Sequence, residues 1–177
     1  IWWYAKKHNI GFWHLNDAAA PSLMLAYAVG RIGCQVSGDG DWGIYNSAYI
    51  TDPKGKVVAA GKGEYQMQIE HYRNYFLHGE VQDSGAAAPI TVTDRKSESI
   101  ETIPNKAVKA PSFLPTWFFA YSYPQNVNKD GFKIEGITDE HNRALPVPVF
   151  PTPLYEIGIC GILFGILWAF RRQIRPA

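Results

Sequence analysis

Leu154 to Phe170 is a run of 17 residues whose only charge is Glu156, near its start, and Arg171-Arg172-Gln-Ile-Arg175 follows it. As a helix the run spans roughly 25 Å, the short end of what crosses a bilayer core. A buried helix in a soluble core is the alternative. The closing arginines and the Gly161-x-x-x-Gly165 pair favour a packed membrane helix with a cytoplasmic basic end.

A second helix is expected from about Ala18 to Cys34, with Asn16 or Asp17 as N-cap and Pro21 in the first turn. The opening Ile-Trp-Trp-Tyr-Ala followed by Lys6-Lys7 reads as the end of a further membrane helix, because aromatic residues sit at the interface and cations prefer the cytoplasmic side. The chain is then a fragment of a longer protein. Three parts follow: residues 1–34, a membrane helix end, a cytoplasmic turn and a second membrane helix; 35–150, a periplasmic loop; and 151–177, a membrane helix with a basic end. The expected fold class is an all-α polytopic membrane helix bundle carrying a mixed, largely irregular periplasmic insertion.

Seventeen Lys+Arg against 16 Asp+Glu leave a net charge of +1, which gives no pull toward nucleic acid. Cys34 and Cys160 fit neither a zinc spacing nor a disulfide framework. The histidines at 8, 14, 71, 78 and 141 show no tight metal spacing.

Within the loop, apolar residues at 65, 69, 72 and 76 predict an amphipathic helix over Glu64–His78, ended by Gly79. Residues 83–111 read as loop with a short strand at Ile90–Val92. The aromatic segment Pro111–Pro124 suits either the membrane surface or core packing. Asn126-Val-Asn128-Lys-Asp130-Gly131 imitates the first half of a calcium loop, but Ile137 stands where the bidentate Glu belongs.

Arg31 draws most attention. A permanent charge at the end of an apolar helix is costly and is suited to binding an anion. On a helix, Tyr27, Arg31, Cys34 and Gln35 share a face, and Gly30 and Gly33 allow close approach. Gly38, Gly40 and Gly43 permit a tight loop that sets Asp39 and Asp41 beside the guanidinium. A purely structural Arg31–Asp pair is the alternative.

Gly30-Arg-Ile-Gly33, Gly38-Asp-Gly-Asp-Trp-Gly43 and Pro151-Thr-Pro-Leu-Tyr-Glu156, with Trp-Trp-Tyr-Ala-Lys-Lys7 and Leu15-Asn-Asp-Ala-Ala-Ala-Pro21, resemble the prolipoprotein diacylglyceryl transferase family over about residues 1–46 and 148–177. The long middle is similar to the extended outer loop of a Bacteroidetes-type subgroup. The resemblance implies a multi-pass enzyme of the bacterial inner membrane. It would transfer diacylglyceryl from phosphatidylglycerol to the lipobox cysteine of a preprolipoprotein, without metal or cofactor. It assigns catalysis to Arg31, Asp41 and Glu156, with either Asp39 or Asp41 standing for a family glutamate. Substrate binding falls to Tyr27, Gly33, Cys34, Asp39, Gly43 and Tyr155. Cys34 stands where the family has asparagine and Phe150 where it has histidine, which opens the alternative of a non-catalytic or altered-specificity member that binds phospholipid or a lipoprotein partner.

Overall fold

The computed structural model describes residues 2–78, 80–81, 90–91 and 103–170. The chain divides into two units, Ile1–Gly33 with Pro153–Ala177, and Cys34–Thr152.

The first unit is helical. Helix α1, Trp2–Lys7, places Lys6 over the Trp2 ring and Lys7 over the Trp3 ring at 5.1 and 5.2 Å, the i,i+4 neighbours of a helix surface. Asn9 ends it in the left-handed region (φ 53°), and the Ile10 amide closes back on the Ala5 carbonyl at 2.9 Å. Helix α2, Phe12–Ser37, starts six residues before the expected Ala18 and takes in both proposed caps. The Asn16 side chain donates to the Phe12 carbonyl (3.0 Å), an interior role. Pro21 lies inside the helix, which continues past it, so a missing N–H in a 26-residue helix marks no start.

Helix α5, Thr152–Phe170, is the one helix among the described residues long and apolar enough to cross a membrane. Ile159, Ile162, Leu163, Ile166, Trp168 and Phe170 are all exposed on it. The arginines expected to close it lie outside the described residues. A bundle of several spans is thus more than these residues display. Apart from their own helix's backbone and chain neighbours, no described atom lies within 4 Å of a methyl placed on Gly30, Gly33, Gly161 or Gly165, so the close approach expected of these glycines has no counterpart among the described residues.

The second unit is mixed, not all-α. Among the described residues it has three two-stranded antiparallel sheets: β1 (Tyr49–Thr51) with β2 (Val57–Ala59), β3 (Glu80–Val81) with β4 (Ile90–Thr91), and β5 (Phe132–Lys133) with β6 (Arg143–Ala144). The turn joining β1 to β2 is written in its sequence. The Asp52 carboxylate accepts the Lys54 and Lys56 amides (3.0 and 2.8 Å), Pro53 fixes φ, and Gly55 takes φ 79°. Of the strand expected at 90–92, Ile90–Thr91 form β4, and Val92 lies outside the described residues.

The core spine is Leu145-Pro-Val-Pro-Val149, whose three apolar side chains are fully buried. Each proline holds its predecessor extended, and the proline carbonyls act as acceptors: Pro146 takes the Thr51 amide and the Gln68 side chain (both 3.1 Å), Pro148 the Asn46 amide (2.8 Å). Against the spine pack Trp42, Tyr45, Ile69, Tyr75, Phe76 and Tyr123.

The expected helix over Glu64–His78 is two, α3 (Glu64–His71) and α4 (Arg73–His78), broken at Tyr72 (φ −102°, ψ 30°). Its apolar face is as expected: Ile69 and Phe76 are buried, and Tyr65 and Tyr72 pack half-buried against the core. The expected stop at Gly79 lies outside the described residues. The Pro111–Pro124 segment divides, with Phe113 and Trp117 exposed and Ala120, Ser122 and Tyr123 buried.

Burial, and secondarily Tyr45, pushes the Tyr65 hydroxyl up to about 12. The protonated phenol is then favoured in the folded state. Its stabilising contribution is complete below pH 10, and it is lost as the pH rises from 10 toward 12, where the unfolded chain ionises first. Tyr65→Phe therefore flattens the alkaline limb of the stability profile. Denaturant unfolding from pH 9 to 12 checks this, and an unchanged slope would exclude Tyr65 as its source.

Candidate functional site

Arg31, Tyr27 and Glu156 form a connected cluster in the helical unit. Tyr27 and Arg31 are i,i+4 on α2 and so lie on one face. Glu156 comes from the first turns of α5, 129 residues beyond Tyr27. The Arg31 guanidinium donates to the Tyr27 hydroxyl through Nε (3.1 Å) and Nη2 (2.9 Å). That hydroxyl donates in turn to Glu156 Oε2 (3.1 Å), and Arg31 Nε also forms an ion pair with the same oxygen. The Arg31 side chain is about one-fifth exposed and that of Glu156 about one-third. An always-ionised cation is thus fixed by a phenol and a carboxylate on the faces of two apolar helices.

Helical spacing brings Tyr27 and Arg31 together, and of the acids expected beside the guanidinium, Asp39, Asp41 and Glu156, the last forms the ion pair given above. Cys34 is half-buried and outside any disulfide, and Tyr155 precedes Glu156 and is partly buried.

The Gly38–Gly43 loop belongs to the second unit. Gly38 ends α2 in the left-handed region (φ 62°), with its amide on the Cys34 carbonyl, and Gly40 follows at φ 102°. Asp39 Oδ1 accepts the Asp41 amide at 3.4 Å, and the Asp41 carbonyl accepts Thr152 Oγ1 at 3.1 Å. Gly43 is needed for close approach: its amide bonds the Phe150 carbonyl (2.9 Å), and a Cβ there would stand 2.9 Å from that oxygen and 3.0 Å from Thr152 Cγ2. Phe150 reaches the loop through its main chain, accepting from Gly43 and donating to Ile44, a role open to any side chain.

Asn126, read from sequence as a candidate calcium ligand, is buried and organises its own turn. It donates to the carbonyls of Tyr123, Asp130 and Arg143 and accepts the Asp130 amide. Among the described residues no group of three His, Cys, Asp or Glu is placed to hold a metal.

The family profile of prolipoprotein diacylglyceryl transferases matches residues 1–177, the whole chain. The chain belongs to the prolipoprotein diacylglyceryl transferase family. Two phosphatidylglycerol–prolipoprotein diacylglyceryl transferases of Leptospira interrogans, from serovar copenhageni (strain Fiocruz L1-130) and serovar Lai (strain 56601), are each 43% identical to it over 47 residues. That stretch covers 27% of this chain and 15% of each relative. No solved structure matches. Prolipoprotein diacylglyceryl transferases are membrane transferases, and the apolar α5 of this member has the composition such a setting requires.

Proposed function

We propose that the protein transfers the diacylglyceryl group of phosphatidylglycerol to the thiol of a lipobox cysteine in a preprolipoprotein, in the bacterial inner membrane. Helices α2 and α5 would both span it, with residues 35–150 periplasmic. The carrying observation is the Arg31 guanidinium held by Tyr27 and Glu156, in a member of this family. The reaction breaks the C–O bond between glycerol and phosphate and makes a C–S bond. Negative charge gathers on the departing glycerol phosphate, which takes up the proton that the thiol loses. A fixed guanidinium lowers the cost of that charge because it is oriented before the reaction begins.

In this reading Glu156 and Tyr27 orient Arg31, and Asp41 is the third catalytic group. Gly33, Cys34, Asp39, Gly43 and Tyr155 shape the lipid and peptide sites together with Tyr27. The donor is a lipid and the acceptor a thiol, so the chemistry calls for no metal or diffusible cofactor.

The test is thioether formation on a lipobox peptide by the full-length protein in phosphatidylglycerol vesicles, read by mass spectrometry. The expected product is peptide carrying one diacylglyceryl group, with glycerol phosphate released in equal amount. Phospholipid or lipoprotein binding without that product would replace this reading with a non-catalytic member.

A further inference from the structure

The turn at 121–130 is built onto the Gly38–Gly43 loop although it is far from it along the chain, Tyr123 lying 88 residues beyond Gln35. Tyr123 Oη donates to Gln35 Oε1 on the last turn of α2 (3.0 Å). The Tyr123 ring packs on Trp42 with centroids 4.7 Å apart, and both rings are buried. Two residues past the turn's second strained position, the Val127 amide donates to the Ser37 carbonyl (2.9 Å), satisfying one of the acceptors that a helix end leaves open. Gly38 fits so closely beneath the turn that a Cβ would stand 2.8 Å from Asn126 Cβ and 3.1 Å from Tyr123 Cδ1. The turn itself is strained: Tyr123, Gln125 and Lys129 all have positive φ (46°, 61° and 54°). Such backbone persists only where its surroundings over-determine it. Here the four bonds of the Asn126 carboxamide do so.

We propose that Tyr123 is a positioning residue, through which the insertion holds the Asp39–Asp41 loop by the Gln35 hydrogen bond and the Trp42 stack. The insertion is then a working part of the transferase and not an appendage. The effect on catalysis rests on the function proposed above; the hold on the loop does not.

Two measurements on the full-length protein in phosphatidylglycerol nanodiscs separate them. Hydrogen exchange over residues 36–43 reports the hold. Tyr123→Phe, which keeps the ring and loses only the hydroxyl, should quicken that exchange about fivefold, as expected for one hydrogen bond. Tyr123→Leu, which also loses the stack, should quicken it further. Gln35→Leu combined with Tyr123→Phe should be no worse than either alone, because both remove the same bond. Turnover should fall with exchange through kcat, with KM for phosphatidylglycerol unchanged. Phe113→Ala, 81% exposed on the same insertion, should alter neither. Unchanged exchange in Tyr123→Phe, additive effects of the two substitutions, or faster exchange at full turnover would each overturn the proposal. An inactive wild type whose variants still exchange faster would overturn the transferase reading alone.

Discussion

Arg31→Ala should reduce the proposed diacylglyceryl transfer by at least 100-fold, on the scale of losing one preorganised donor to a developing oxyanion. Three features of the site set that size. The guanidinium is mostly buried, so its charge is not diluted by bulk water as a surface arginine's would be. It is aimed before substrate arrives, through the Tyr27 hydroxyl and the Glu156 carboxylate. Its removal also leaves Glu156 partly buried without that cation, so a negative charge faces the place where the proposed phosphate must develop more of it. Arg31→Lys should fall between wild type and alanine, since an ammonium keeps the charge but not the planar fork. Lipid transfer to a lipobox peptide in phosphatidylglycerol vesicles decides it. Turnover within about threefold of wild type in Arg31→Ala, well under one donor's worth, would remove Arg31 from the mechanism.

The largest effect on stability is expected at Gly131. It lies at φ 92°, just before β5, and its carbonyl accepts Arg143 Nη1 (2.8 Å). A Cβ there would stand 1.9 Å from the Ala144 carbonyl oxygen and 2.5 Å from its carbon. These are backbone atoms of the paired strand β6, so no side chain can swing aside to make room. Gly131→Ala must separate β5 from β6 or twist residue 131, and it disturbs Leu145, the first residue of the core spine. The left-handed conformation costs on the order of 1–3 kcal/mol for a non-glycine residue, and overpacking a similar amount again. Together they lower the unfolding temperature of the Cys34–Thr152 unit by about 10 °C or more. Thermal unfolding followed by near-ultraviolet dichroism reads this directly. Gly63→Ala is the comparison: φ is 81° there, but nothing lies within 4 Å of the added methyl, so only the conformational part remains. Equal losses at the two positions would show that the contact with Ala144 contributes nothing.

What could be read from the residues followed the range of the interaction. The α5 helix was legible from the length of an unbroken apolar run and the 65/69/72/76 face from helical period; the first appears as one helix with its apolar residues exposed, the second as two with those residues turned inward. The hairpin of β1 and β2 is equally legible, as an Asp-Pro-Lys-Gly turn between Ala-Tyr-Ile-Thr and Val-Val-Ala, although it lies in a segment of otherwise irregular pattern. Asn126-x-Asn-x-Asp-Gly carried a true signal of a tight turn, which composition alone made look like half a cation site.

The sequence by itself determined which groups lie within one turn of each other. Tyr27 meets Arg31 because the helix repeats every 3.6 residues, and Gly38 and Gly40 reverse the chain because they alone tolerate φ above zero without cost. Only the tertiary structure brings Glu156 onto Arg31 and decides what supports the loop. Glu156 and Tyr123 reach their partners across 129 and 88 residues of chain. No local periodicity encodes such a meeting. Packing fixes it: for Tyr123, the proline spine it lies against and a buried asparagine that binds four backbone groups at once.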